Sequence, residues 1–216
     1  MKAKSEVFNM DCIEGMKQYP DKYFELAIVD PPYGINADIQ QNKLGGNKGF
    51  NKKSGKYKKY HNTNWDDEIP NELYFNELFR VSKNQIIWGG NYFFDIDLTG
   101  VIIWYKGNSG NFKEGEMAKS SFNTFKIYSM SRADAYINNG DLKIHPTQKP
   151  KELYKWLLTN YAKKGDKILD THLGSGSSRI AAYDLGFDFI GFELDEDYFK
   201  ASEKRFKQHT DQLTLF

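Results

Sequence analysis

Apolar and polar positions alternate along the chain in two periods, which predict short strands interleaved with helices. Apolar runs bounded by turn residues predict strands at residues 26–29, 85–88, 101–106, 124–130, 167–170 and 189–193. Helical spacing predicts a brief helix after Asp11 and longer ones over 70–83, 150–161, 177–185 and 195–207. Residues 107–121, rich in Gly, Asn, Ser and Lys, predict a surface loop. Strands that alternate with helices indicate an α/β domain.

Chain length and composition limit the choice of class. A chain of 216 residues with 39% hydrophobic residues holds one well-buried domain, which we place at residues 1–211. The single cysteine, Cys12, excludes an internal disulfide and a cysteine metal site, and it favours a reducing compartment. No apolar run approaches a signal sequence or a membrane span, so we expect a cytoplasmic protein with no membrane partner.

Charge is concentrated in one segment. Residues 36–62 carry a net charge of +6, whereas the whole chain carries +1. We expect a mobile basic loop over residues 36–64 that contacts a polyanion, because aromatic residues interleave with its charges. The alternative is a solvated insertion. The candidate nucleic-acid-binding residues are Lys43, Lys48, Lys52, Lys53, Lys56, Lys58 and Lys59.

The first stretch with chemical character is Asp30-Pro31-Pro32-Tyr33, directly after the strand at 26–29. Prolines cannot continue a strand ladder, and their carbonyls are left to accept hydrogen bonds from another partner. One interpretation is a strand-ending turn capped by the Asp30 side chain. The other is a binding or catalytic site, and the remainder of the chain decides between them.

The second stretch runs from Asp170 to Gly176 and opens into a helix. A strand, a Gly-x-Gly turn and a helix N-terminus form an arrangement that binds phosphate or nucleoside groups, and a strand ending in Glu193 follows where an acid takes ribose hydroxyls. The spacing therefore predicts a nucleoside-type ligand. A nicotinamide dinucleotide is disfavoured because Arg179 occupies the position of the third glycine.

These two stretches, together with Ile144-His-Pro-Thr-Gln-Lys-Pro150, resemble the DNA amino-methyltransferases that modify exocyclic amines of bases. The order, with the catalytic motif before the cofactor motif, resembles the circularly permuted β group. The resemblance covers about residues 9–206. It implies an α/β Rossmann-like fold, with a mixed seven-stranded sheet and helices on both faces, and S-adenosylmethionine as cofactor without a metal. This chain has Ser177-Ser178 where the family often has two threonines.

The resemblance also implies roles for individual residues. Asp30 and the Pro31 carbonyl would accept the N–H groups of the target amine, Pro32 would fix the turn, and Tyr33 would stack on the base. Thr147, Gln148 and Lys149 would bracket the methionine carboxylate. Asp11 is equally well explained as a helix N-cap, and a nucleophilic role for Cys12 is rejected. The implied cofactor-binding residues are Asp11, Cys12, Asp30, His145, Thr147, Gln148, Lys149, Asp170, Gly174, Ser175, Gly176, Ser177, Glu193 and Leu194.

The expected activity is methyl transfer to adenine N6 in double-stranded DNA after base flipping, with a small target-recognition region at 107–140. Cytosine N4 is the alternative target, for which the family more often has Ser at position 30. An inactive DNA- and clamp-binding module is a further alternative. The tail 212–216 resembles a sliding-clamp-binding peptide, with Gln212, Leu213, Leu215 and Phe216 as contacts. A homodimer is compatible with all of these interpretations.

Overall fold

The computed structural model describes residues 3–35, 66, 68–93, 96–107, 113–131, 133–138 and 143–213. In these ranges the chain forms eight strands, five α-helices and one π-helical segment. They are β1 (Ser5–Asn9), α1 (Cys12–Met16), β2 (Phe24–Val29), α2 (Glu72–Val81), β3 (Ser82–Trp88), β4 (Gly100–Tyr105), β5 (Gly115–Ser120), β6 (Phe125–Ser129), the π-helical segment Asp134–Asn138, α3 (Lys151–Tyr161), β7 (Lys167–Asp170), α4 (Ser177–Leu185), β8 (Asp188–Glu193) and α5 (Glu196–Leu213).

All eight strands belong to one mixed sheet, in the order β1-β8-β7-β2-β3-β5-β4-β6. Neighbouring strands from β1 to β3 are parallel. Strand β5 is antiparallel to both β3 and β4, and β6 is parallel to β4. The predicted Rossmann-like α/β class is confirmed, and the described part of the chain has eight strands rather than seven.

The sheet is covered by helices on both faces, which explains why β2 is a continuous apolar run. Leu26 and Ile28 pack on one side with the apolar residues of α3 and α4. Ala27 and Val29 pack on the opposite side with residues of α1 and α2. A strand buried on both faces has no polar side to alternate with, as is usual in parallel sheets. Because β2 is an inner strand of the sheet, Asp30, the residue that follows its last position, lies at the middle of the sheet edge rather than at its side.

Two predictions about local structure were wrong. Within the predicted surface loop at 107–121, residues 115–120 form β5, because they pair with both β3 and β4. The last helix was predicted to end near residue 207, but α5 continues to Leu213, with a Lys207–Asp211 ion pair of 2.7 Å on its surface. Residues 36–65 and 214–216, which include the basic loop and most of the tail, lie outside the described residues.

No helix in the described ranges is long and apolar enough to cross a bilayer.

Candidate active site

A cavity of about 560 Å³ opens at the carboxyl ends of the parallel strands. Strands β2 and β7 are neighbours, but the chain continues from β2 to β3 on one side and from β7 to β8 on the other. The connections therefore diverge and leave a crevice between Asp30 and the turn after β7. Parallel α/β sheets bind their ligands at such a point, and the volume suits a small-molecule ligand.

The cavity brings together most of the predicted catalytic and cofactor-binding residues from five separate parts of the chain. Those that line it are Asp11, Cys12, Asp30, Pro32, His145, Thr147, Gln148, Lys149, Gly174, Ser175, Glu193 and Leu194. The remaining predicted catalytic and cofactor-binding residues are not among those that line it: Pro31, Tyr33, Asp170, Gly176 and Ser177. Tyr154, His172, Leu173 and Tyr198 also line the cavity, although no sequence pattern predicted a ligand-binding role for them.

Asp11 caps a helix and also lines the cavity, so its position is compatible with both interpretations proposed from the sequence. Its Oδ1 accepts the backbone N–H groups of Ile13 at 2.9 Å and Glu14 at 3.0 Å, which makes it the N-cap of α1. It also faces the cavity, beside Cys12. Burial, with the charge of Asp11, raises the pKa of the Cys12 thiol to about 12. A protonated thiol is a poor nucleophile, which agrees with the rejection of a nucleophilic role for Cys12.

The glycine turn after β7 is held by the acid at the end of β8. Gly174 has φ +51° and Gly176 φ +72°, conformations that favour glycine. The two carboxylate oxygens of Glu193 accept the N–H of Gly174 at 2.7 Å and that of Asp195 at 2.9 Å. Burial raises the pKa of Glu193. The predicted ribose acceptor is thus also the residue that shapes the turn.

Two buried side chains support this turn from behind. Asp170 accepts the Ser178 hydroxyl at 2.5 Å and the His172 N–H at 3.0 Å, and burial raises its pKa to about 7. Arg205, from α5, donates to the Ser175 carbonyl at 2.7 Å and to the Ser177 hydroxyl at 3.1 Å. Asp170 thereby acts on the cavity through the turn, while its direct contact with a ligand stays a prediction. The sequence pattern did not predict a role for Arg205. Its position in the helix does not differ from that of the other residues that face inward.

The Asp30-to-Tyr33 turn is fixed by contacts that the sequence did not reveal. The Asp66 carboxylate accepts the N–H groups of Tyr33 at 2.5 Å and Gly34 at 3.1 Å, so the acid that caps the turn is Asp66. The Tyr33 hydroxyl donates to Asp30 Oδ1. Its ring stacks on Tyr92, with centroids 5.0 Å apart and planes inclined by 12°. Tyr92 covers one face of this ring, and the stacking of Tyr33 on a base stays a prediction.

Lys149 lies against the Asp30-to-Tyr33 turn. Its Nζ is 2.5 Å from Asp30 Oδ2 and 3.1 Å from Glu116 Oε2. Burial would raise the pKa of Glu116, but Lys149 and Lys106 outweigh that effect and lower it to about 2. Burial raises the pKa of Asp30, and the charge of Lys149 opposes this shift. Glu116 was missed because it lies in β5, within the segment predicted as a loop.

The segment from Ile144 to Pro150 forms one wall of the cavity. The Gln148 side-chain carbonyl accepts the N–H of Ile144 at 2.8 Å, which closes the segment on itself. The His145 ring packs edge-on against Tyr198, with centroids 4.3 Å apart, and its Nδ1 lies 3.1 Å from the Thr147 hydroxyl. Burial lowers the pKa of His145 to about 3, so the ring is neutral. The string of polar residues is therefore a folded wall rather than a flexible linker.

The chemistry of the cavity is mixed, since both carboxylates and apolar side chains line it. Asp11 and Glu193 can accept hydroxyl or amine hydrogens on one side, and Asp30 can do so on the other. Leu173 and Leu194 offer apolar surface to a ring. Within the described ranges, no three His, Cys, Asp or Glu side chains are grouped to hold a metal ion. The arrangement suits an organic ligand with a polar ribose-like part.

Comparison with known proteins extends the likeness beyond the motifs. A family model described as DNA methylase, for N6 and N4 methyltransferases, matches residues 105–204. The type II methyltransferase M.HinfI of Haemophilus influenzae is 25% identical over an alignment 242 positions long, which covers 92% of this chain and 67% of that protein.

Solved structures share the fold. The complex of M1.HpyAVI with S-adenosylmethionine superposes with a TM-score of 0.62, at 18% identity over 93% of this chain and 98% of that one. The cytosine-N4-specific PvuII DNA methyltransferase superposes with a TM-score of 0.58, at 12% identity over 97% and 92% of the two chains. These matches show that the chain is similar to DNA methyltransferases in sequence and that it shares their fold.

Proposed function

We propose that this protein transfers a methyl group from S-adenosylmethionine to the N6 amine of adenine in double-stranded DNA. One observation carries the proposal: Asp30, at the end of β2, and the Gly174 turn, at the end of β7, face the same cavity. The residue that we propose as the acceptor for the amine and the turn that we propose as the cradle for the cofactor therefore lie beside the same cavity. The similarity to methyltransferases supports the same conclusion.

The residues present fit S-adenosylmethionine. Glu193 and Asp11 supply carboxylates for the ribose and adenine groups, and the wall formed by Thr147 and Gln148 supplies donors for the methionine part. The Gly174 turn lets the backbone approach the ligand closely. When bound there, the cofactor supplies an electrophilic methyl group on a sulfonium sulfur.

The role of the Asp30 motif follows from the weak nucleophilicity of an aromatic amine, whose lone pair is delocalised into the ring. If Asp30 and the Pro31 carbonyl each accept one N–H, the nitrogen becomes tetrahedral and its lone pair points at the methyl group. Transfer would form the N–C bond as the S–C bond of the cofactor breaks, and the nitrogen would then pass one proton to the Asp30 carboxylate or to solvent. Direct transfer needs neither a metal nor the Cys12 thiol.

Adenine is favoured over cytosine because position 30 is Asp, whereas the cytosine-N4 members of the family more often have Ser there. The PvuII enzyme shares the fold and is cytosine-N4-specific, so cytosine is the second candidate. The experiment is transfer of a tritiated methyl group from the cofactor to duplex DNA, followed by nucleoside analysis. We expect label in N6-methyladenine. Label in N4-methylcytosine would select the second candidate, and no label would contradict both.

DNA binding would use the basic loop, with residues 107–140 contributing to target recognition. A target base inside a duplex must be flipped out at a cost of a few kcal/mol, which contacts in the pocket repay. The lysines of residues 43–59 are suited to the phosphates beside such a base. A cytoplasm of bacterial or phage-infected cells would give the enzyme access to its substrate.

The tail is proposed to bind a bacterial sliding clamp. Gln212 and Leu213 belong to α5, so an extended peptide would require the last helical turn to unwind. A clamp pull-down with the full chain and with a variant lacking residues 212–216 tests this proposal. Retention that does not depend on the tail would refute it. Sedimentation of the same samples would show whether the chain forms a homodimer.

A further inference from the structure

Four charged side chains form an unbroken series of ion pairs that ends at Asp30. Lys106 pairs with Glu116 Oε1, Glu116 Oε2 lies 3.1 Å from Lys149 Nζ, and Lys149 Nζ lies 2.5 Å from Asp30 Oδ2. The charges alternate in sign along the series. The members come from the end of β4, from β5, from the segment before α3 and from the end of β2. The fold therefore connects the catalytic motif to an acid on a different strand.

The burial of Lys149 shows that the pairing is needed. Its side chain is only 2% exposed, whereas that of Glu116 is 26% exposed. A buried ammonium group is costly unless anions or hydrogen-bond acceptors surround it. The Trp88 ring, with its centroid 5.2 Å from Nζ, contributes a further favourable contact. Asp30 alone would leave one side of the ammonium group without an anion, and Glu116 occupies that side.

Both oxygens of Asp30 are consequently held. Oδ1 accepts the Tyr33 hydroxyl, and Oδ2 accepts Lys149 Nζ. Lys149 also donates to the Tyr33 hydroxyl oxygen at 3.2 Å, which closes a ring of three groups. Because Lys149 is bound on its far side by Glu116, the position of the ammonium group, and with it the plane of the Asp30 carboxylate, is determined from β5.

We propose that Glu116, acting through Lys149, is a positioning residue for methyl transfer that fixes the carboxylate of Asp30 toward the target amine. This inference rests on the proposed function and assigns to both residues a role that no sequence motif indicated. The sequence predicted that Lys149 binds the methionine carboxylate. The two roles differ measurably, since a methionine contact affects cofactor affinity and a positioning contact affects the rate of transfer.

The pKa of Asp30 depends on the charges of the ionisable groups around it. Within the part of the chain that the structure describes, those that interact with it electrostatically are Lys149, Glu116, Tyr33, Asp170, Tyr154 and Tyr74. Among them only Lys149 is a cation. Removing the Glu116 charge lowers the pKa of Asp30, because a repelling anion is removed. Removing the Lys149 charge raises it, because an attracting cation is removed.

The first measurement does not depend on activity. The carboxyl carbon of Asp30, labelled with ¹³C and assigned with Asp30→Asn, is titrated by NMR in the wild type, in Glu116→Gln and in Lys149→Met. The pKa of Asp30 is expected to move down in Glu116→Gln and up in Lys149→Met, each by roughly half a pH unit or more. Matched controls are Lys207→Met and Asp211→Asn, which break an exposed ion pair of α5. Neither control should move it.

The second measurement separates rate from affinity. At saturating cofactor, the single-turnover rate of Glu116→Gln is expected to fall roughly tenfold or more, with the dissociation constant of the cofactor within about twofold of wild type. Glu116→Asp, which restores the charge, should recover part of the rate. Circular dichroism and cofactor binding verify that each variant is folded.

The outcomes distinguish this inference from the proposed function. If the pKa of Asp30 does not move in opposite directions in the two variants, the positioning network is refuted whatever the enzyme methylates. Weaker cofactor binding by Lys149→Met with an unchanged rate would restore the methionine role and overturn the inference. If wild type methylates no DNA while both titrations shift as expected, the proposed function fails and the network stands.

Discussion

The carboxylate of Glu193 accepts the backbone N–H of Gly174 at 2.7 Å, which joins the end of β8 to the glycine turn after β7. Its second oxygen accepts the N–H of Asp195. The same side chain faces the cavity. One acid therefore shapes the turn and presents its remaining acceptor capacity to the cavity.

Replacing this acid should weaken both the turn and ligand binding. In Glu193→Gln the amide group can accept only one of the two backbone N–H groups, so a buried donor loses its partner. We expect the free energy of unfolding to fall by about 1–3 kcal/mol and S-adenosylmethionine to bind roughly tenfold more weakly or worse. Denaturant unfolding and calorimetry measure these quantities. Glu196→Gln, at an exposed position, is the control. Equal behaviour of the two variants would contradict the assignment.

Gly89 tests the packing of Tyr33. It has φ +71°, and a Cβ there would overlap the Tyr33 ring. Gly186 has φ +76°, and no other described atom lies within 4 Å of the site of its Cβ. Both alanine variants should lose about 1–2 kcal/mol of stability through backbone strain. Only Gly89→Ala should also displace Tyr33 and slow methyl transfer, by roughly tenfold. Methyl transfer that is equally fast in both variants would show that the position of Tyr33 is unimportant.

His145 should make the protein sensitive to acid. Its pKa is about 3 in the folded state, below the ordinary 6.5, because it is buried. The unfolded chain therefore takes up a proton as the pH falls below 6.5, and stability is lost down to about pH 3. Relative to His145→Gln, wild type should lose roughly 1.4 kcal/mol of unfolding free energy per pH unit in this range. Denaturant unfolding at about pH 7, 6 and 5 measures the difference, and parallel curves would contradict it.

The basic segment should contribute to DNA affinity through phosphates. Neutralising Lys52, Lys53, Lys58 and Lys59 to Gln should weaken binding and reduce the slope of log affinity against log salt by about 0.9 for each phosphate that the loop no longer neutralises. The control neutralises four exposed lysines of the segment after α1 and of α5: Lys17, Lys200, Lys204 and Lys207. Fluorescence anisotropy at several salt concentrations measures both slopes. An unchanged slope in the loop variant would refute its contact with DNA.

The parts of the fold that were predictable are those whose signal is local. The run from Phe24 to Val29 is apolar at nearly every position because β2 is buried on both faces, and two prolines end it. The Gly174 turn was predictable because it needs glycine between a strand and a helix. These two features suffice to place a cavity between β2 and β7.

The features that were missed depend on distant pairing. Strand β1 exposes much of its surface, and it is a strand because it pairs with β8. Strand β5 contains charged residues and follows a glycine-rich segment, so no alternation revealed it. Asp66 and Glu116 acquire their roles only when the fold brings them to the Asp30 turn. Sequence spacing carries no information about such contacts.

The central claim is that Asp30 accepts the target amine during methyl transfer. Single-turnover transfer of labelled methyl into duplex DNA at saturating cofactor tests it most directly, with Asp30→Asn compared with wild type. We predict that the variant binds S-adenosylmethionine within about threefold of wild type and transfers the methyl group roughly 100- to 1,000-fold more slowly. A variant that methylates DNA at the wild-type rate would contradict the claim.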